Sequence, residues 1–133
     1  DCGAAELRHV IIVGDLTQAL GDLRRELLQR GQLLQQHRVR SVTELPAEVR
    51  PPYLVLVVDE LASALETEGV EEALRDLVAR GGAYGILPVL ATQRPESAVV
   101  SGFFNLVTRI ALPVPDQADS RVILGRGEKL PLA

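Results

Sequence analysis

Residues 53–60 read YLVLVVDE, an apolar run that passes directly into two carboxylates. It shows no alternation of polar and apolar residues. A strand of that composition is expected to be covered on both faces, as in a parallel sheet between helices. Pro51-Pro52 precedes the run and stops a helix from propagating into it. Asp59 and Glu60 then fall at the carboxyl end of the strand, the edge at which open α/β sheets bind ligands.

The flanking segments repeat the pattern. On the amino-terminal side, Leu7–Val13, with HVIIV at its centre, reads as a buried strand ended by Gly14. Asp15 caps a long helix expected to run to about Arg38, with Gly31 as a weak point. Leu16, Leu20, Leu23, Leu27 and Leu34 form its apolar stripe, and Arg24, Arg25, Gln29, Arg30 and Gln36 are assigned to the opposite face. Ser41–Pro52 reads as a linker. On the carboxyl-terminal side, Val70, Ala73, Leu74, Leu77 and Val78 predict an amphipathic helix over Val70–Arg80, ended by Gly81-Gly82. Ile86–Thr92 is the next strand. Pro88 inside it predicts a bulge or a local break. A short helix at Ser97–Phe104, a strand at Thr108–Pro113, a short helix at Asp116–Leu124 and a tail from Gly125 complete the chain. Strands alternating with helices predict an α/β fold with a mostly parallel sheet.

Composition narrows the function. With 133 residues the chain has the length of one domain. Apolar residues make up 47% and charged residues 24%, which does not suit a disordered chain. No apolar run is long enough to span a membrane. The net charge of −4 lacks the basic signature of an autonomous nucleic-acid binder, and two Phe, two Tyr and no Trp offer no platform for stacking bases. The one cysteine, Cys2, makes neither an internal disulfide nor a zinc site. His9 and His37 have no metal-like spacing.

Two strand ends carry chemistry. Acids like Asp59 and Glu60 at a strand end have a clear use in nucleotide hydrolysis. Asp59, straight off the strand, is the candidate to hold Mg²⁺ through a water, and Glu60 the candidate to polarise the attacking water. The same pair also suits a helix N-terminus, where acids meet the positive end of the dipole. Ala91–Pro95, ATQRP, ends the following strand. Thr92 and Gln93 are expected to emerge at the same edge, where a neutral amide can bond a phosphate oxygen or the attacking water. Arg94 is a candidate phosphate or carboxylate partner. Asp119 and Arg121 read as a surface pair. No G-x-x-x-x-G-K-S/T phosphate loop occurs in the chain.

Together, YLVLVVDELASAL, YGILPVLATQRPE, TRIALPV, DSRVIL and the tail LGRGEKLPL resemble the FtsK/SpoIIIE family of DNA-translocating ATPases, over Tyr53–Leu132. The resemblance implies a three-layer RecA-like P-loop NTPase core with a mostly parallel sheet. That core is incomplete, residues 1–133 being its Walker B and sensor half, with the P-loop strand and helix upstream of Asp1. It also implies ATP and Mg²⁺ as cofactors, a hexameric ring, double-stranded DNA as the partner of the intact protein, and roles in cell division, chromosome segregation or conjugative transfer. The location implied is cytoplasmic, or the cytoplasmic face of a membrane where an anchor exists. Asp59 and Glu60 match the Walker B pair, and Thr92 and Gln93 the sensor strand end. The family's arginine in trans falls in a GRAxGIH stretch that reads GGAYGIL here, so Gly82 stands at that position and Arg80 or Arg94 are the substitutes. Two alternatives remain open: a non-catalytic RecA-like ring or regulatory domain, and a type VII secretion ATPase moving protein. Loss of the P-loop strand is expected to leave the isolated chain poorly soluble or self-associating.

Overall fold

The computed structural model describes residues 15–93, together with Phe103, Thr108, Ile110 and Leu112. The expected elements at 7–13 and 116–124, most residues of those at 97–104 and 108–113, and Cys2, His9, Arg94, Asp119 and Arg121, lie outside the described residues.

Helix α1 spans Leu16–His37. Asp15 Oδ1 caps it by accepting hydrogen bonds from the Thr17 and Gln18 amides at 2.9 and 3.2 Å. It ends at Arg38, whose φ of 55° is left-handed, with Arg38 N donating to Gln35 O and Val39 N to Leu34 O. Those two bonds form a Schellman closure. Gly31 does not interrupt the helix. Strand β1 is Leu54–Val58, helix α2 is the single turn Leu61–Ala64, helix α3 is Val70–Arg80, and strand β2 is Ile86–Leu90.

The two strands pair in parallel, Leu54 opposite Ile86 through Val58 opposite Leu90. Side chains alternate across a strand, so Leu54, Leu56 and Val58 share a face with Ile86 and Leu90. Leu20 and Leu27 of α1 and Leu74 and Leu77 of α3 pack on that face. Each fully buried leucine contributes roughly 1.5–3 kcal/mol. The expectation that β1 is covered on both faces is corrected among the described residues. Val55, Val57, Leu87 and Val89 on the other face are 41–64% exposed, because α1 and α3 lie on one side.

Four further expectations change. First, Arg30 is buried at 3% exposure, not on the solvent face. It lies three residues after Leu27 and four before Leu34, so helical spacing puts it on the core stripe. Its Nε donates to Glu26 Oε1, its Nη2 to Pro52 O and its Nη1 to Tyr84 O, each at 2.8 Å, with a further bond from Nη1 to Gly85 O at 3.2 Å. Second, part of the linker is core. Val42 and Leu45, in and after a 3-10 turn at Val42–Glu44, are buried against Leu34.

Third, Gly81 ends α3 as expected, but in a right-handed conformation (φ −54°) that continues into a 3-10 turn, Gly81–Tyr84. It is glycine because a Cβ there would collide with the Ile86 carbonyl oxygen. The left-handed residue is Gly85 (φ 70°). Fourth, Pro88 makes no bulge. Leu54 N donates to Gly85 O and Ala91 N to Val58 O. In a parallel pair alternate residues bond to the same neighbour, so 85, 87, 89 and 91 face β1. Pro88 keeps the register opposite Leu56, and its missing donor points away from β1.

Arg30→Met should lower the unfolding free energy by about 3 kcal/mol, since it leaves buried carbonyls without a donor; urea denaturation measures it, and a change under about 0.5 kcal/mol contradicts the role given to Arg30. Gly85→Ala should cost about 1–2 kcal/mol from left-handed strain, more because its Cβ would press on Val42 and the Arg30 guanidinium at 3.0 and 3.1 Å. Gly82→Ala, where an added Cβ meets nothing within 4 Å, is the neutral control in the same melts.

Candidate functional site

The register places the two strand ends side by side. Val58 is opposite Leu90, so Asp59–Glu60 and Ala91–Gln93 leave the sheet together. Backbone bonds of 2.8 Å from Ala91 N to Val58 O and from Leu61 N to Ala91 O fasten them. The structure thus brings together four of the five residues singled out in the sequence: Asp59, Glu60, Thr92 and Gln93. Arg94 lies outside the described residues.

The two acids occupy different surroundings. Asp59 is exposed and makes no hydrogen bond or ion pair with the described residues. Glu60 is half-buried and caps α2, its Oε1 accepting from the Ala62 amide at 3.3 Å. The helix N-terminus alternative for the acidic pair is therefore realised in Glu60. The same Oε1 accepts from the Thr92 hydroxyl at 2.7 Å, and Oε2 accepts from the Gln93 amide at 3.3 Å. The sequence did not disclose this tie. Side chains at equivalent depths on adjacent strand ends are its only signal.

Among the described residues, no group of three or more His, Cys, Asp or Glu is placed to hold a metal. Mg²⁺ does not need such a cage. It keeps several waters and takes one or two carboxylates together with substrate phosphates. The open carboxylate of Asp59 fits that donor set.

Position 82 is exposed and open. Arg80, also exposed, pairs with Asp76, whose hydrogen bond and charge hold the guanidinium above its ordinary pKa. A groove of about 450 Å³ between α1 and α3 is floored by leucines and rimmed by Arg24, Glu72, Asp76 and Arg80. It lies on the helix side of the molecule, away from the strand ends; Asp59, Glu60, Thr92 and Gln93 do not line it, whereas Arg80, a candidate for the trans arginine, does.

No family model matches the chain. Individual proteins do. The chain is 40% identical over 128 residues to the DNA translocase FtsK of Chlorobaculum tepidum, an alignment covering 89% of this chain and 16% of that protein. It is 35% identical over 132 residues to FtsK of Staphylococcus epidermidis, covering 86% of this chain and 17% of that protein. With FtsK of Vibrio vulnificus it shares 43% over 89 residues, 64% of this chain and 9% of that protein. Two solved structures share the fold. The pCW3 conjugation coupling protein TcpA, in its monomer form with ATPγS, superposes with a TM-score of 0.72 at 22% identity, over 81% of this chain and 35% of that one. The cytoplasmic domain of the Thermomonospora curvata type VII secretion ATPase EccC gives 0.70 at 24%, over 83% and 14%. The expected α/β class therefore stands, and the fold is shared with these two proteins. The chain spans about a sixth of the length of the first two translocases. Identity at this level along most of its length makes it a member of the FtsK/SpoIIIE family.

Proposed function

We propose that this stretch supplies the water-activating edge of an ATP-driven motor that moves double-stranded DNA. The observation that carries the reading is the meeting of Asp59–Glu60 with Thr92–Gln93 at two adjacent parallel strand ends, in a chain related to DNA translocases. Asp59 would hold Mg²⁺ through a water, and the bound ion supplies charge neutralisation at the phosphate oxygens. Glu60 orients and polarises the attacking water. Thr92 and Gln93 lie where the terminal phosphate is sensed, and Arg94 is the adjacent candidate for a phosphate contact. The cradle for the phosphates comes from residues other than these.

In this reading the intact protein works as a hexameric ring with ATP sites between subunits, in chromosome segregation and cell division or in conjugative transfer. Its place is the cytoplasm, or the cytoplasmic face of a membrane where an anchor is present. Among the described residues no helix is long and apolar enough to cross a membrane. A second reading, a non-catalytic ring subunit, is favoured by one observation: glycine stands at position 82, where the family resemblance calls for an arginine. Protein cargo, as for a secretion ATPase, has only the shared fold in its favour.

In the full-length protein, Glu60→Ala should lower DNA-stimulated ATP turnover at least a hundredfold, with ATP still bound. Turnover unchanged by the substitution sinks the assignment of Glu60, and a wild type without turnover supports the non-catalytic reading. Asp59→Asn should raise the Mg²⁺ concentration needed for half-maximal turnover by about tenfold. A magnesium titration of both forms measures it, and superimposable curves would remove Asp59 from the metal site.

A further inference from the structure

We propose that Thr92 is a positioning residue that acts on hydrolysis through Glu60, holding its carboxylate in a resting orientation. This rests on the reading of Glu60 as the residue that activates water. The Thr92 hydroxyl donates to Glu60 Oε1 at 2.7 Å, the Ala62 amide shares that oxygen, and the Gln93 amide reaches Oε2. These bonds direct its oxygens toward the chain's own donors on α2 and the end of β2. Asp59, one residue earlier, remains open.

The Thr92 bond is not needed to hold the two strand ends together. Two backbone bonds of 2.8 Å already do so, through Val58, Leu61 and Ala91. Nor does it build α2, which spans a single turn and takes its cap from the carboxylate itself. What the hydroxyl governs is where that carboxylate rests. Thr92 and Gln93 leave β2 in succession and reach the two different oxygens of Glu60. A ligand group that attracts these donors relaxes both oxygens in one movement, so occupancy of the phosphate position and release of the base become a single event.

Steady-state ATP turnover of the full-length protein, with and without DNA, tests this. Thr92→Val removes the hydroxyl and keeps the shape. It should raise the DNA-independent kcat about ten- to a hundredfold, the worth of one hydrogen bond to a charged group. Thr92→Ser, which restores the hydroxyl, should return kcat to the wild-type value. Thr92→Ala should behave as Thr92→Val, which keeps the test decisive if the valine form folds poorly. Glu60→Gln should abolish turnover in every background. Loss of turnover in Glu60→Gln with an unchanged or lowered kcat in both Thr92→Val and Thr92→Ala overturns the positioning role alone. Turnover retained in Glu60→Gln overturns the role of Glu60 and this inference with it.

Discussion

One buried guanidinium sets the geometry on which the rest depends. Arg30 leaves the middle of α1 and bonds to carbonyls just ahead of both strands, Pro52 before β1 and Tyr84 and Gly85 before β2. A charge in this position is costly unless every donor is matched. Here Glu26 takes the Nε donor, so each guanidinium nitrogen has a partner, and among the described residues no buried side-chain nitrogen or oxygen lacks one. The fork thus fixes where β1 and β2 begin relative to each other. Register set at that end is carried along the pair to Val58 and Leu90. A slip of one residue would send every side chain to the opposite face and separate Glu60 from Thr92. The site at one end of the sheet is held in alignment by an arginine at the other.

That alignment also gives two adjacent carboxylates different surroundings. Asp59 still follows the line of β1 and meets solvent, whereas Glu60 begins the turn into α2 and lies half-buried against the end of β2. An open acid suits a hydrated cation. An acid held by hydroxyl and amide donors suits a part that must be released at a set moment. Sequence proximity alone would treat the two as equivalent.

Where periodicity is long, the sequence was sufficient. The limits of α3, the span of α1 with its Asp15 cap, the two strands and the convergence of their ends on one edge were all readable from apolar spacing. What escaped was decided by contacts distant in the chain. Arg30 has core spacing but surface chemistry, and only carbonyls 22 to 55 residues away resolve the conflict. Val42 and Leu45 are buried through a turn too short to show a period. Of three neighbouring glycines, Gly85 needs a left-handed backbone and Gly81 needs space, a distinction absent from the letters. The Glu60–Thr92 bond depends on strand register, which neither strand specifies by itself.

Pro88 gives the sheet a directional property. The backbone amides of β2 that face outward belong to residues 86, 88 and 90, and the middle one is missing. A strand approaching along that edge finds two donors separated by a gap and loses the central rung of its ladder. Casual strand addition, the first step toward cross-β aggregation, is disfavoured there, while a neighbour able to satisfy its own carbonyl opposite the gap is not. A proline that costs the β1–β2 pair nothing therefore acts as a selectivity filter on what can pair with the side of β2 turned away from β1, where no strand of the described residues is bonded.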